Sequence, residues 1–308
     1  MVYCSSHEAK QRLIEQVQRD SVDGMRLILS KECGNDVEQT ALCLRTITHG
    51  KCGDTLAHVA CRCGSLNILR FLCEEVKCLL ESQNYDGKRP LHEAAQLSRL
   101  DIVQFLIDQG CQIDPLKRAD WEGHVHIMSC LLDISPDAWN TSSRNNRTPL
   151  HTAALHGQLQ CVKLLLTRGH YPPDVADNCG TTPFMDAASA DQVAILDCLA
   201  EYQKADVTKM DVLGNNSLHL AAQTGAACAV LSLVEKYGLD INSINSWGQT
   251  PLHLSAKVGQ DDVVERLIDL GAVCSVRDKK GRTAYDLAKN NGHNSCCRLL
   301  QPHNMENQ

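Results

Sequence analysis

The chain has 308 residues, 43% of them apolar but only 4% aromatic, and a formal net charge of -7. An interior poor in aromatic rings has to be filled by Leu, Val, Ile, Ala and Cys, which suits short close-packed helices better than a large sandwich core. The acidic balance, with no run of Lys and Arg, gives no general attraction to phosphate backbones, so direct nucleic-acid binding is not expected.

Seventeen cysteines is an odd total and residues 1–10 hold no apolar leader, so a soluble, intracellular chain with reduced thiols is expected. No apolar stretch approaches the roughly 20 residues needed to span a bilayer. In chain order, residues 9–31, with Leu13, Ile14 and Val17 and then Met25, Leu27, Ile28 and Leu29, read as a charged, degenerate helix pair. The stretch from Cys33 to Cys52, rich in Cys, Thr and Gln, reads as an irregular insertion, which sets a first domain at 9–52.

From residue 53 one motif recurs. Thr148-Pro149-Leu150-His151-Thr152-Ala153-Ala154 and Thr250-Pro251-Leu252-His253-Leu254-Ser255-Ala256 are its fullest copies, and weaker ones begin at Thr55, Arg89, Thr182, Asn216 and Thr283. With the proline position as marker, the copies fall at 56, 90, 149, 183, 217, 251 and 284, in steps of 34, 59, 34, 34, 34 and 33. A threonine before a helix can cap an orphan N–H, and a proline at the first helical position gives up an N–H that has no partner anyway. Gly157, Gly225, Gly259 and Gly292 stand where that short helix must reverse, and runs such as Cys161 to Leu166 or Val263 to Ile268 supply a second amphipathic helix. A hairpin this small cannot bury its apolar face alone, so stability must come from stacking neighbours.

The period and the Thr-Pro-Leu-His-x-Ala signature resemble the ankyrin-repeat family over residues 53–300. The resemblance implies an all-α, monomeric ankyrin-repeat solenoid of stacked helix-turn-helix repeats. Its degenerate N-terminal cap lies in 9–52, its last repeat holds Lys279, Lys280, Lys289 and Asn290, and a disordered tail occupies 301–308. The 59-residue step falls about nine residues short of two periods. Lys117 to Trp121 fits the turn before an inner helix and Gly123 to Leu132 fits the stretch after one, so the repeat near 117–146 is expected to lack its inner helix and to be a weak point between 119 and 146.

Within the family, the runs Gly87 to Ala95, Leu116 to Trp121, Arg147 to Ala154 and Asp177 to Gly180 are similar to a member that partners alanyl-tRNA synthetase and takes wrongly activated serine onto its own lysines. That resemblance implies the same partner, a role in translational fidelity and a location in cytoplasm and nucleus. The member's acceptor positions fall here at Arg118, at Asn140 and inside the missing stretch, with Lys117 next to the first. A guanidinium stays protonated and cannot attack, so scaffolding is the expected role.

Histidines 58, 92, 151, 219 and 253 recur once per repeat, whereas a metal site needs ligands converging on one point, so they are expected to hydrogen-bond within each hairpin. His92-Glu93 lacks the second histidine of the His-Glu-x-x-His pattern, and no nucleophile elbow or phosphate loop occurs, so neither enzyme, metal nor cofactor is expected. Turn tips and inner-helix ends carry no packing duty in such an array. Partner contacts are therefore expected at Tyr85, Asp86, Lys88, Gln96, Lys117, Arg118, Trp121, Asn145, Arg147, Asn178, Gln223, Trp247, Gln249 and Lys257, with Thr181, Leu213, Asn215, Lys280 and Arg282 beside them. A generic adaptor in signalling or degradation would use the same face.

Overall fold

Paired short helices build the computed structural model, which describes residues 7–33, 40–41, 43–44, 47–75, 80–111, 129, 133, 145–168, 171–202 and 204–305. Contacts group them into two units, residues 1–138 and 139–308. In the first unit α1 (His7–Gln18) packs on α2 (Val22–Cys33), burying Leu13, Val17, Met25 and Leu29 as the apolar spacing requires.

The segment between this pair and the repeats is less irregular than its composition implies. Cys43, Leu44 and Ile47 are buried, and β1 (Thr48–His49) pairs antiparallel with β2 (Asp54–Thr55). Thr48 lies opposite Thr55, and Gly50 and Gly53 take the positive φ that the reversal needs. Two helical hairpins follow. The first is α3 (Leu56–Cys63) with α4 (Leu66–Arg70), which runs on as a π-helical turn over Phe71–Glu75; the second is α5 (Pro90–Gln96) with α6 (Leu100–Asp108).

The second unit repeats the hairpin five times. Its inner helices are α7 (Pro149–Leu155), α9 (Pro183–Ser189), α11 (Ser217–Thr224), α13 (Pro251–Val258) and α15 (Ala284–Asn290). Its outer helices are α8 (Leu159–Thr167), α10 (Val193–Asp197, with a π-helical turn over Cys198–Tyr202), α12 (Ala227–Glu235), α14 (Asp261–Asp269) and α16 (Asn294–Met305). Each inner helix packs on the next, through Ala153 and Ala154, Ala187 and Ala188, Ala221 and Ala222, then Ser255 and Ala256, all buried. Small side chains there let neighbouring backbones approach, while Leu165, Leu196, Val230, Val264 and Leu267 fill the space behind them.

The repeat near 117–146, expected to be shortened and irregular, lies almost wholly outside the described residues, and so does its expected weak point. At the other end α16 continues through Pro302 to Met305, so helix occupies residues 301–305 of the stretch expected to be a disordered tail. Cys296 and Leu300 are buried where α16 packs on α14 and α15, which anchors its turns.

Candidate protein-binding face

The signature histidines His58, His151, His219 and His253 tie their own helix caps to the next turn. Nδ1 of His58, His151 and His253 accepts the N–H of Thr55, Thr148 and Thr250 at 3.2, 3.1 and 3.1 Å, with the threonine hydroxyl at 2.8, 3.0 and 2.9 Å. A backbone N–H can only donate, so Nδ1 is unprotonated and Nε2 carries the hydrogen. Nε2 then donates to the carbonyls of Lys88, Thr181 and Arg282, 2.9, 2.9 and 3.1 Å away and about one repeat on. Burial pushes all three imidazoles below their usual pKa, against the pull of those carbonyls. His219 does the same work from an asparagine cap, reaching Asn216 and the Gln249 carbonyl.

Five of the turns are pinned by a carboxylate or amide six residues before the proline position. Oδ1 of Asn84, Asp177, Asp211, Asn245 and Asp278 accepts two N–H groups, two and four residues on, at 2.7–3.1 Å. A ladder joins the turns: the N–H groups of Val212, Ser246 and Lys279 donate to the carbonyls of Cys179, Leu213 and Trp247 at 2.8, 2.9 and 3.0 Å. Within the first unit Tyr85 donates to the Cys52 carbonyl in the same way. Backbone polar groups are thus consumed, and side chains at the tips are left outward on rigid supports.

Tyr85 stands at such a tip, 78% exposed, its ring against Gly53, where an added Cβ would fall 2.6 Å from Cε2. Asp86 and Gln96 are exposed beside it, and Lys88 is half-buried, with Nζ 3.1 Å from Gln96 and 3.6 Å from Glu93. Lys117, Arg118 and Trp121 lie outside the described residues. In the second unit Asn145, Asn178, Gln223, Trp247, Lys257 and Lys280 are exposed as expected of partner contacts.

Three residues need correcting. Arg147 is half-buried and bridges Asp177 at 3.1 Å and Asp186 at 2.7 Å, so its guanidinium holds the fold together. Burial still lifts the Asp186 carboxyl to about 6, outweighing the cation beside it. Gln249 and Asn215 are only 5% exposed, because their main chains close the pinned turns and Asn215 exchanges side-chain hydrogen bonds with Asp211 and Asn245. A turn position four residues past the pinning group faces inward, which the motif alone does not reveal.

One groove of 360 Å³ lies in the second unit, between its last turns and α13. Trp247 and Leu213, 48% and 41% exposed, meet Lys257, Lys279 and Lys280 around it, and Leu254 lies buried at its floor. Asp278 and Arg282 also line it but cancel, bonded at 2.7 Å. Burial would raise the Asp278 carboxyl, yet the Arg282 side chain and the N–H groups of Arg282 and Lys280 hold it at about 2. Leu213, Asn215, Gln223, Trp247, Gln249, Lys257, Lys280 and Arg282 were foreseen here; Leu254, Asp278 and Lys279 were missed, since none stands out from an ordinary core leucine or a charge in a turn. Among the described residues no three His, Cys, Asp or Glu side chains gather into a metal site, and no helix is long and apolar enough to cross a membrane.

The family model for ankyrin repeats (3 copies) matches at residues 13–117, 116–211, 167–245 and 218–308. The chain belongs to the ankyrin-repeat family. Ankyrin repeat protein nuc-2 of Neurospora crassa is 28% identical over 78% of this chain and 23% of its own length. The putative E3 ubiquitin-protein ligase XBAT31 of Arabidopsis thaliana is 31% identical over 83% of this chain and 54% of its own length. The tyrosine-protein kinase Shark of Drosophila melanogaster is 29% identical over 46% of this chain and 16% of its own length. The chain therefore spans between about a sixth and about a half of these relatives. Ankyrin repeats are in general a non-catalytic, protein-binding architecture.

Proposed function

We propose that this ankyrin scaffold binds alanyl-tRNA synthetase and helps prevent serine mischarging, without being an enzyme itself. The observation that carries a protein-binding face is the groove in which an exposed tryptophan meets three lysines on a backbone locked by its own turns. Aromatic residues on rigid supports are the usual anchors of protein interfaces. The choice of synthetase rests on the sequence runs from Gly87 to Ala95 and Arg147 to Ala154, which resemble ankyrin repeat domain-containing protein 16. A cytoplasmic and nuclear location and a monomeric state go with that reading. The alternative, a generic adaptor recruiting another protein in signalling or degradation, draws support from the kinase and the ligase named among the relatives.

Purified synthetase titrated onto immobilised chain tests the proposal. The parent binds; Trp247→Ala and Tyr85→Ala keep the helical circular dichroism and lose about thirtyfold in affinity. Equal binding by both variants removes the turn tips from the interface. No binding by the parent removes the synthetase and leaves the scaffold.

A further inference from the structure

We propose that the groove beside Trp247 takes an extended acidic peptide, one apolar side chain of which sits against the indole while Asp or Glu residues on either side meet Lys257, Lys279 and Lys280. The inference rests on the reading of this face as protein-binding and names the chemistry of what binds there.

Charge is the first argument. The chain carries a net -7, so a random surface patch should be acidic. Around this groove the balance reverses: Lys257, Lys279 and Lys280 make no ion pair among the described residues, and the remaining acid and base, Asp278 and Arg282, neutralise each other. Three uncompensated ammonium groups on one rim favour a carboxylate-bearing partner and disfavour a basic one. The second argument is shape. Trp247, Leu213 and the buried Leu254 give the groove an apolar strip, and 360 Å³ accommodates a few side chains, far less than a folded domain face.

The third argument is rigidity. Trp247 and Lys280 donate their N–H groups to the pinning side chains Asn245 and Asp278, and the Lys279 N–H donates to the Trp247 carbonyl, so Lys279, Lys280 and the indole ride on one fixed ladder, while Lys257 stands on α13. A preorganised rim orders little more on binding, which favours capture of a flexible segment. A nucleic-acid strand fits less well, because phosphate tracking needs a basic stripe and stacking platforms, and here a single tryptophan stands among three lysines.

The test is an anisotropy titration of the full chain with a labelled peptide of Asp and Glu around a central Leu. Controls are the same peptide with Asn and Gln, and a labelled oligodeoxythymidylate. The acidic peptide should bind, weaken as salt rises, and exceed the neutral peptide by about tenfold or more. Trp247→Ala and the triple change Lys257→Glu, Lys279→Glu, Lys280→Glu should each cost about tenfold; the triple variant, kept helical by its untouched core, should bind a Lys-substituted peptide instead. Equal binding of the neutral peptide, preference for the oligonucleotide, or an unaffected triple variant overturns the proposal. Synthetase capture, run in parallel, separates the two readings. Capture that is sensitive to Trp247→Ala but indifferent to the lysine reversal keeps the scaffold and discards the acidic peptide, while peptide binding without capture discards the synthetase and keeps the peptide site.

Discussion

His151 joins the Thr148 N–H to the Thr181 carbonyl from inside the stack, so its loss strands a buried donor and a part-buried acceptor. His151→Ala should cost about 2–4 kcal/mol, two unmade hydrogen bonds plus a small void, read as a lower urea midpoint. Arg147→Met should cost about 3 kcal/mol, because Asp186 is left buried without its cation, and adding Asp186→Asn should recover most of it. A single variant that stays as destabilised after the second change would contradict that pairing. The histidines' bond to their own helix cap was legible because a residue repeating once per hairpin must serve each hairpin, whereas the Nε2 bond to the next turn was not. The pinning Asn84, Asp177, Asp211, Asn245 and Asp278 repeat as faithfully, but an Asp or Asn in a loop looks like solvated surface until its oxygen is seen to accept two N–H groups. Arg147 misled for a related reason: charge in a turn reads as exposed, and its partners Asp177 and Asp186 lie 30 and 39 residues away.

At the scale of the element, the inner helices were legible from their capping residue and proline, and their ends from glycine. Gly259 has φ 91°, and a Cβ there would fall 2.5 Å from Nδ1 of His293, so Gly259→Ala should cost about 1–2 kcal/mol by thermal or urea unfolding. Little or no loss would mean that the C-terminus of α13 does not depend on the left-handed cap. The hairpin over Thr48–Thr55 was not legible, since its strands are two residues each and give no alternation to detect. Nor were the π-helical turns at Phe71–Glu75 and Cys198–Tyr202, which share composition with the α-helices they extend. The last helix outran its expected end because Leu300 is buried, a fact of packing that no local signal announces.

Across the whole molecule, the buried imidazoles set a pH dependence. His58, His151 and His253 are held below their ordinary value of 6.5, so the unfolded chain binds protons more readily than the folded one. Their contribution is complete above 6.5 and is lost as pH falls below it. Asp186 acts with the opposite sign: its carboxyl, raised from 3.8 to about 6, favours the folded chain as pH falls through that window. With His219, lowered by burial in the same way, four imidazoles stand against one carboxyl, so the urea midpoint should drop between about pH 7 and pH 5, and more steeply in Asp186→Asn. A midpoint that rises over that interval would contradict the tautomer assignment.

The fold needed only the repeat to be read, whereas the partner depends on which side chains the turns leave outward. Hydrogen exchange of the chain with and without purified alanyl-tRNA synthetase reads that face directly. Slowed exchange confined to the turns at 84–88, 211–216, 245–250 and 278–283 and to the end of α13, with the outer helices α12 and α14 unchanged, is the result expected. Protection on α12 and α14 instead, or no change anywhere, would contradict a synthetase-binding face built from these turns.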